Sequence, residues 1–130
     1  MRRSDKTPRH IDGLRTTNDD LDARQVHRQG CEAIVEAIRA RVGDNPVYLT
    51  FDIDCLAPAF APGTGTPVCG DLSTVQTLEI LGRLRGINLV GMDVVELAPA
   101  YDHVDVTSLA AATLAMEMLC LYAAKHKIDR

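Results

Sequence analysis

With 130 residues, of which 46% are hydrophobic and 25% charged, the chain is composed like one soluble globular domain with room for a modest core. A formal net charge of −4 argues against nucleic acid or an acidic membrane as partner, because a basic surface would be needed to hold either. Residues 1–20 are polar, contain Pro8 and Gly13, carry scattered basic residues (Arg2, Arg3, Lys6, Arg9) and close on the acidic run Thr17 to Asp20. They read as an irregular N-terminal segment, with the folded domain spanning 21–130. No apolar run marks a leader in this segment, and the four cysteines (Cys31, Cys55, Cys69, Cys120) form no CxxC pair. A cytoplasmic protein with buried, reduced thiols is expected.

From about Leu21 to Val42, the apolar residues Cys31, Ile34, Val35, Ile38 and Val42 recur at three- and four-residue steps, which predicts an amphipathic helix. Gly43 to Pro46 stop it. Val47 to Asp54 alternates, with Val47, Leu49, Phe51 and Ile53 on one side and Tyr48, Thr50, Asp52 and Asp54 on the other, as a strand requires. Residues 55–72, with Pro58, Pro62, Pro67 and three glycines, make a long loop of the kind that often carries function. Ser73 followed by Gln76 is a capping-box start for a helix with Val75, Leu78, Leu81 and Leu84 on one face, ended by Gly86 and Asn88.

Leu89 to Leu97 is a continuous apolar run of strand length containing one acid, Asp93, and ending beside Glu96. Such runs belong to parallel sheets covered on both faces. A last helix begins near Asp105 or Thr107; its apolar residues cover most of its circumference, which implies burial, and its longest apolar stretch (Leu109 to Ala124) falls short of a bilayer span. Helix, strand, loop, helix, strand and helix in that order give a parallel α/β architecture.

Ligands of open α/β sheets collect at the carboxyl ends of strands, where Asp52, Asp54 and Glu96 all fall. Residues i and i+2 of a strand share a face about 6.6 Å apart, so the two aspartates can converge on a hard divalent cation, Mg²⁺ or Mn²⁺ rather than Zn²⁺. By itself, Asp-x-Asp also suits one acid capping a loop beside a solvated one. It also matches the haloacid-dehalogenase-like phosphatases, with an aspartate nucleophile and Mg²⁺, although Leu56 stands where those proteins have Thr or Val.

The run "FDIDCLAPAFAPGTGTP" resembles the ureohydrolase family of arginases and agmatinases, most closely the C-terminal part of bacterial agmatinases; Asp52, Asp54, Pro58, Pro62 and Gly63 to Pro67 carry the likeness. It continues through "GMDVVELAPAYD", Gly91 to Asp102, and the Ala-rich final helix. The resemblance implies a three-layer α/β/α fold and a binuclear manganese site that activates water against a guanidinium carbon, releasing urea and an amine. It implies Asp52 and Asp54 as metal ligands and Glu96 as the catalytic-site carboxylate that binds the substrate guanidinium, that of agmatine in agmatinases. Homo-oligomers are the family expectation.

Ala57 stands where the family has Asp, and Asp71 where it has Gly. The family's Gly-Gly-Asp-His and Asp-Ala-His-x-Asp motifs are missing; His10, His27, His103 and His126 lie in neither, and His10 with Asp12 reads as a tail feature. The expectation is therefore a C-terminal part of an agmatinase that is inactive alone, with a non-catalytic remnant that associates through exposed edges as the alternative.

Overall fold

The computed structural model describes residues 21–126. The expectations for residues 1–20, including those for His10 and Asp12, lie outside them. Helix α1 (Ala23–Val42) starts from a capping box in which Asp22 accepts from the Gln25 N–H and the Gln25 side chain accepts from the Asp22 N–H. It presents Cys31, Ile34 and Val35 inward, with Ile38 and Val42 partly buried, as its periodicity predicts, and buries Val26 as well. The periodicity does not reveal that Gly30 (φ 82°, ψ 163°) breaks the helix into two pieces, a conformation open to glycine. Gly43 closes the second piece, donating to the Arg39 carbonyl.

Strand β1 (Val47–Asp52) is two residues shorter than predicted, because Ile53–Cys55 turn into a 3-10 segment. Helix α2 (Thr74–Arg83) has the predicted capping box: Ser73 Oγ accepts from the Gln76 N–H, and Gln76 Oε1 accepts from the Ser73 N–H. Of its predicted face, Leu81 and Leu84 are buried, whereas Val75 is 70% exposed. Arg39 of α1 donates to the carbonyls of Arg83 and Arg85 (2.7 and 2.6 Å), tying the two helices where α2 ends.

Strand β2 (Leu89–Val95) pairs in parallel with β1, and a register shift falls between Val47 and Tyr48. Val47 pairs with Leu89, but Tyr48 pairs with Gly91. The slip changes the phase of β2, so Leu89, Met92 and Val94 all join the core with Leu49 and Phe51. Asp93 is thereby placed opposite Thr50 on the other face, where the Tyr48 hydroxyl donates to its Oδ2 (3.2 Å) and its Oδ1 is enclosed without a partner. The expected buried acid is thus partly buried and tethered. Tyr48 can lie across β2 because position 91 is glycine: a Cβ there would stand 2.7 Å from the ring. This face is open at Tyr48 and Thr50, and Val90 is 53% exposed, so β2 is not covered on both faces within the described residues.

Helix α3 (Val106–His126) packs on α2 and β2 through Ala110, Ala111, Leu114, Met118 and Leu121. The expectation of all-round burial is not met: Leu109, Met116 and Leu119 are 68%, 60% and 51% exposed. The longer stretch His103–His126 is, by length and composition alone, apolar enough to cross a membrane, as the core helix of a soluble protein can also be; here one face of it is a packing surface. All four cysteines are free, but only Cys31 is buried and Cys55 partly so; Cys69 and Cys120 are exposed.

The start of α3 is held by Asp102. Its Oδ1 accepts from the Thr107 N–H (2.9 Å), and its Oδ2 accepts from the Ser108 N–H (2.8 Å) and Oγ (2.7 Å). Desolvation pushes this carboxyl up, but the Ser108 and Thr107 hydrogen bonds outweigh it and bring the pKa down from 3.8 to about 2. The cap spans Val104 and Asp105, both left-handed (φ 56° and 58°).

Two outcomes follow from this cap. Because the native pKa lies below the unfolded 3.8, the stabilisation is complete above about pH 5 and is lost as pH falls toward the native value. In denaturant titrations from pH 7 down to 2, the deficit of Asp102→Asn should therefore shrink toward zero, and a constant deficit would refute the charged cap. Val104, β-branched, left-handed and 94% exposed, is strained for no packing gain. Val104→Asn should stabilise by about 1 kcal/mol, raising Tm by roughly 4 °C in thermal unfolding; an unchanged or lower Tm would contradict this.

Candidate metal centre

The carboxyl end of β1 delivers Asp52, and the 3-10 turn after it delivers Asp54. The predicted strand geometry for the pair gives way to a turn: Asp52 Oδ1 accepts from the Asp54 N–H (3.1 Å), so Asp52 caps the turn on which Asp54 sits. The turn swings Asp54 off the strand while keeping the two carboxylates together. Asp54 Oδ2 accepts from Thr66 Oγ1, a contact that brings the Gly-Thr-Gly-Thr-Pro loop over the pair.

Glu96 lies at the carboxyl end of the neighbouring strand and is exposed. Its backbone is left-handed (φ 63°), an unusual conformation for a residue that is neither glycine nor asparagine, and strain of this kind clusters at working sites. The residues just after it are tied to the loop. Leu97 forms an antiparallel bridge with Thr64, and the Ala98 N–H donates to the Gly63 carbonyl (2.8 Å). The structure thus sets Asp54 beside Asp52, with Glu96 near enough for its charge to act on Asp52. Their electrostatics are unfavourable as they stand. Burial pushes the Asp52 carboxyl above its usual value, and the neighbouring charges of Asp54 and Glu96 push the same way.

The all-oxygen donor set and the crowding of like charge fit a hard divalent cation, which would relieve both. The set is partial. Among the described residues, no group of three or more His, Cys, Asp or Glu side chains is placed to hold a metal ion. Burial and then the carboxylates of Asp52, Asp54 and Asp71 push the Cys55 thiol up to about 12, so it is protonated in the metal-free protein.

The long loop closes on itself through backbone contacts. The Leu72 N–H donates to the Cys55 carbonyl (3.0 Å) and the Ala57 N–H to the Leu72 carbonyl (2.8 Å). The Ala57 carbonyl in turn accepts from Phe60 and Ala61. The loop is therefore ordered without a carboxylate at position 57. The substitution of Asp71 for glycine is also accommodated, since the left-handed conformation of that turn resides at Gly70 (φ 95°). Thr66 and Thr64 were legible only as motif letters. Thr66 holds Asp54, and Thr64 is buried with its Oγ1 unpartnered.

A sequence profile of the arginase family matches residues 1–120. The chain belongs to the arginase family. The match reaches further toward the N-terminus than the motif resemblance, which began at Val47. Over 119 residues, this arginase-family chain is 56% identical to an agmatinase of Enterobacter sp. (strain 638), covering 87% of itself and 39% of that protein. It therefore spans about two fifths of the length of the curated relatives it matches. Among solved structures, a hypothetical agmatinase from Burkholderia thailandensis superposes with a TM-score of 0.80 at 55% identity, over 88% of this chain and 39% of that one. The proclavaminate amidino hydrolase of Streptomyces clavuligerus gives 0.78 at 41% identity, over 80% and 35%. The fold is thus an α/β arginase-like fragment, as expected.

In metal-free buffer at neutral pH, Asp52→Asn should raise Tm, because it removes a desolvated charge from beside two others while Asn Oδ1 still accepts from the Asp54 N–H. A fall in Tm by thermal unfolding would show that the carboxylates are not in conflict.

Proposed function

We propose that this chain is part of an agmatinase-type ureohydrolase, which hydrolyses the guanidinium of agmatine to urea and putrescine with Mn²⁺ as cofactor. The observation that supports the reading is 56% identity to an agmatinase over 119 residues, in a chain where Asp52 ends one strand, Asp54 follows it, and Glu96 follows the end of the parallel strand beside it. Asp52 and Asp54 are the proposed metal ligands. Bound divalent metal supplies Lewis acidity toward water and substrate. Thr66 fixes the rotamer of Asp54, and Asp52, by capping the turn, fixes where Asp54 begins. Glu96 offers a planar carboxylate to a planar guanidinium, a pairing that favours two parallel N–H···O bonds. Its left-handed backbone and exposure leave it accessible to a small cationic substrate.

This chain alone is proposed to turn over little or no substrate, since two carboxylates complete only part of a binuclear coordination sphere. The proposal includes a cytoplasmic location, in keeping with four free cysteines. It includes no nucleic-acid or membrane partner, in keeping with the net charge of −4 and the packed face of α3. Homo-oligomer formation is part of the same family-based reading.

Paramagnetic broadening of amide resonances during Mn²⁺ titration tests the ligand roles. Broadening should centre on Asp52 to Cys55 and be lost in Asp52→Asn and in Asp54→Asn. Equal broadening in both variants, or none in the parent chain, would overturn the metal assignment. Urea release from agmatine with added Mn²⁺ should stay near background for the chain alone; turnover of about 1 s⁻¹ or more, abolished by Asp52→Asn, would overturn the inactivity.

A further inference from the structure

Gly63 sits at a junction that ties the two halves of the candidate site together. Its carbonyl accepts from the Ala98 N–H (2.8 Å), two residues past Glu96. Its N–H donates to Thr107 Oγ1 (2.8 Å) inside the protein, where Thr107 is 0% exposed. Three residues along the same loop, Thr66 reaches Asp54. The junction has no slack: a Cβ on residue 63 would stand 2.6 Å from Asp102 Cβ and 2.9 Å from Thr107 Oγ1. Thr107 is itself held, since its N–H donates to Asp102 Oδ1 and the other oxygen of that carboxylate engages Ser108.

We infer that Thr107 is a positioning residue: its buried hydroxyl, anchored by the Asp102 cap, grips the Gly63 amide and so sets Asp54, through Thr66, against Glu96. Thr107 touches none of the proposed ligands and acts through the loop. Without the hydroxyl, the Gly63 N–H would be a buried donor with no acceptor, a penalty the loop relieves by moving. Movement there reaches the site at two points, Thr66 and the Thr64–Leu97 bridge. The inference extends the metal and substrate roles proposed above and rests on them for its functional meaning, whereas its geometric content stands without metal.

The test compares Thr107→Val, which keeps the shape and removes the oxygen, with Thr107→Ser, which keeps the oxygen. In metal-free amide spectra, Thr107→Val should shift the resonances of Gly63 to Thr66 and of Glu96 to Ala98, and Thr107→Ser should leave them near their original positions. In the Mn²⁺ titration, Thr107→Val should weaken binding about 10-fold or more, as loss of an outer-shell partner does, with Thr107→Ser close to the parent. Shifts confined to Gly63 and the first turn of α3, or undiminished Mn²⁺ binding by a folded Thr107→Val, would overturn the inference. If the parent chain takes up no Mn²⁺, the metal reading fails, and the metal-free shifts alone decide whether Thr107 positions the loop. If Thr107→Val does not fold, hydrogen exchange of the Gly63 amide in the parent and in Thr107→Ser decides it: slow exchange in both supports the grip, and fast exchange in either overturns it.

Discussion

The pairing of β1 with β2 depends on one slipped register position, and most of what surrounds the candidate site depends on that pairing. Without the slip between Val47 and Tyr48, strict alternation from Leu89 would point Gly91, Asp93 and Val95 at the core and turn Met92 and Val94 away. With it, the apolar side chains of β2 meet Leu49 and Phe51, while Asp93 goes to the face where Tyr48 can satisfy it. The same register aligns Asp52 with Val95, so the strands end level and the turn carrying Asp54 opens beside Glu96. A parallel pair so aligned needs a covered crossover, which α2 and the self-closing loop provide.

Much of this could be read from residue order. The alternation of Val47 to Phe51, the Ser73–Gln76 capping box and the inward face of α1 all appear where local pattern and chemistry predict them, because each rests on contacts a few residues apart. What local pattern does not encode failed in specific ways. Nothing in the apolar run after Leu89 announces a register slip, since the slip is decided by the partner strand. The strand pattern through Asp54 stops early because a side-chain hydrogen bond from within, Asp52 to the Asp54 N–H, outcompetes the ladder. Apolar residues all round α3 signalled burial, but burial is a property of neighbours, and Leu109, Met116 and Leu119 stay more than half exposed among the described residues. The candidate carboxylates were legible because their strand-end positions and the Gly-Thr-Gly-Thr-Pro motif after them singled them out together. Thr107 was not, since a threonine in an Ala-rich helix resembles a propensity choice until the Gly63 amide is seen against it.

The site is arranged at a cost to the fold. Asp52 is desolvated beside two other acids, Glu96 and Val104 hold left-handed backbones, and Thr64 keeps a buried hydroxyl without a partner. Strain of this kind clusters at working sites, and Asp52, Thr64 and Glu96 all lie in or beside the long loop. They are tolerated because the loop is braced from outside by Thr107 and Asp102 and from below by the Cys55–Leu72 and Ala57–Leu72 contacts.

The break at Gly30 divides α1 by attachment as well as by direction. Beyond it, Cys31 to Val42 are held by the core and by Arg39 on the end of α2. Before it, the short piece from Ala23 rests on Val26 and on His27, whose Nε2 meets the Gly70 carbonyl (2.9 Å) and whose Nδ1 meets the Gln76 side-chain nitrogen (3.2 Å). The first piece is therefore held through Val26 and through His27, which reaches both the far end of the long loop and α2, whereas the second is held by the core. Segments held by few contacts are where local opening starts, so the Val26 and His27 contacts are what keep the first piece in place.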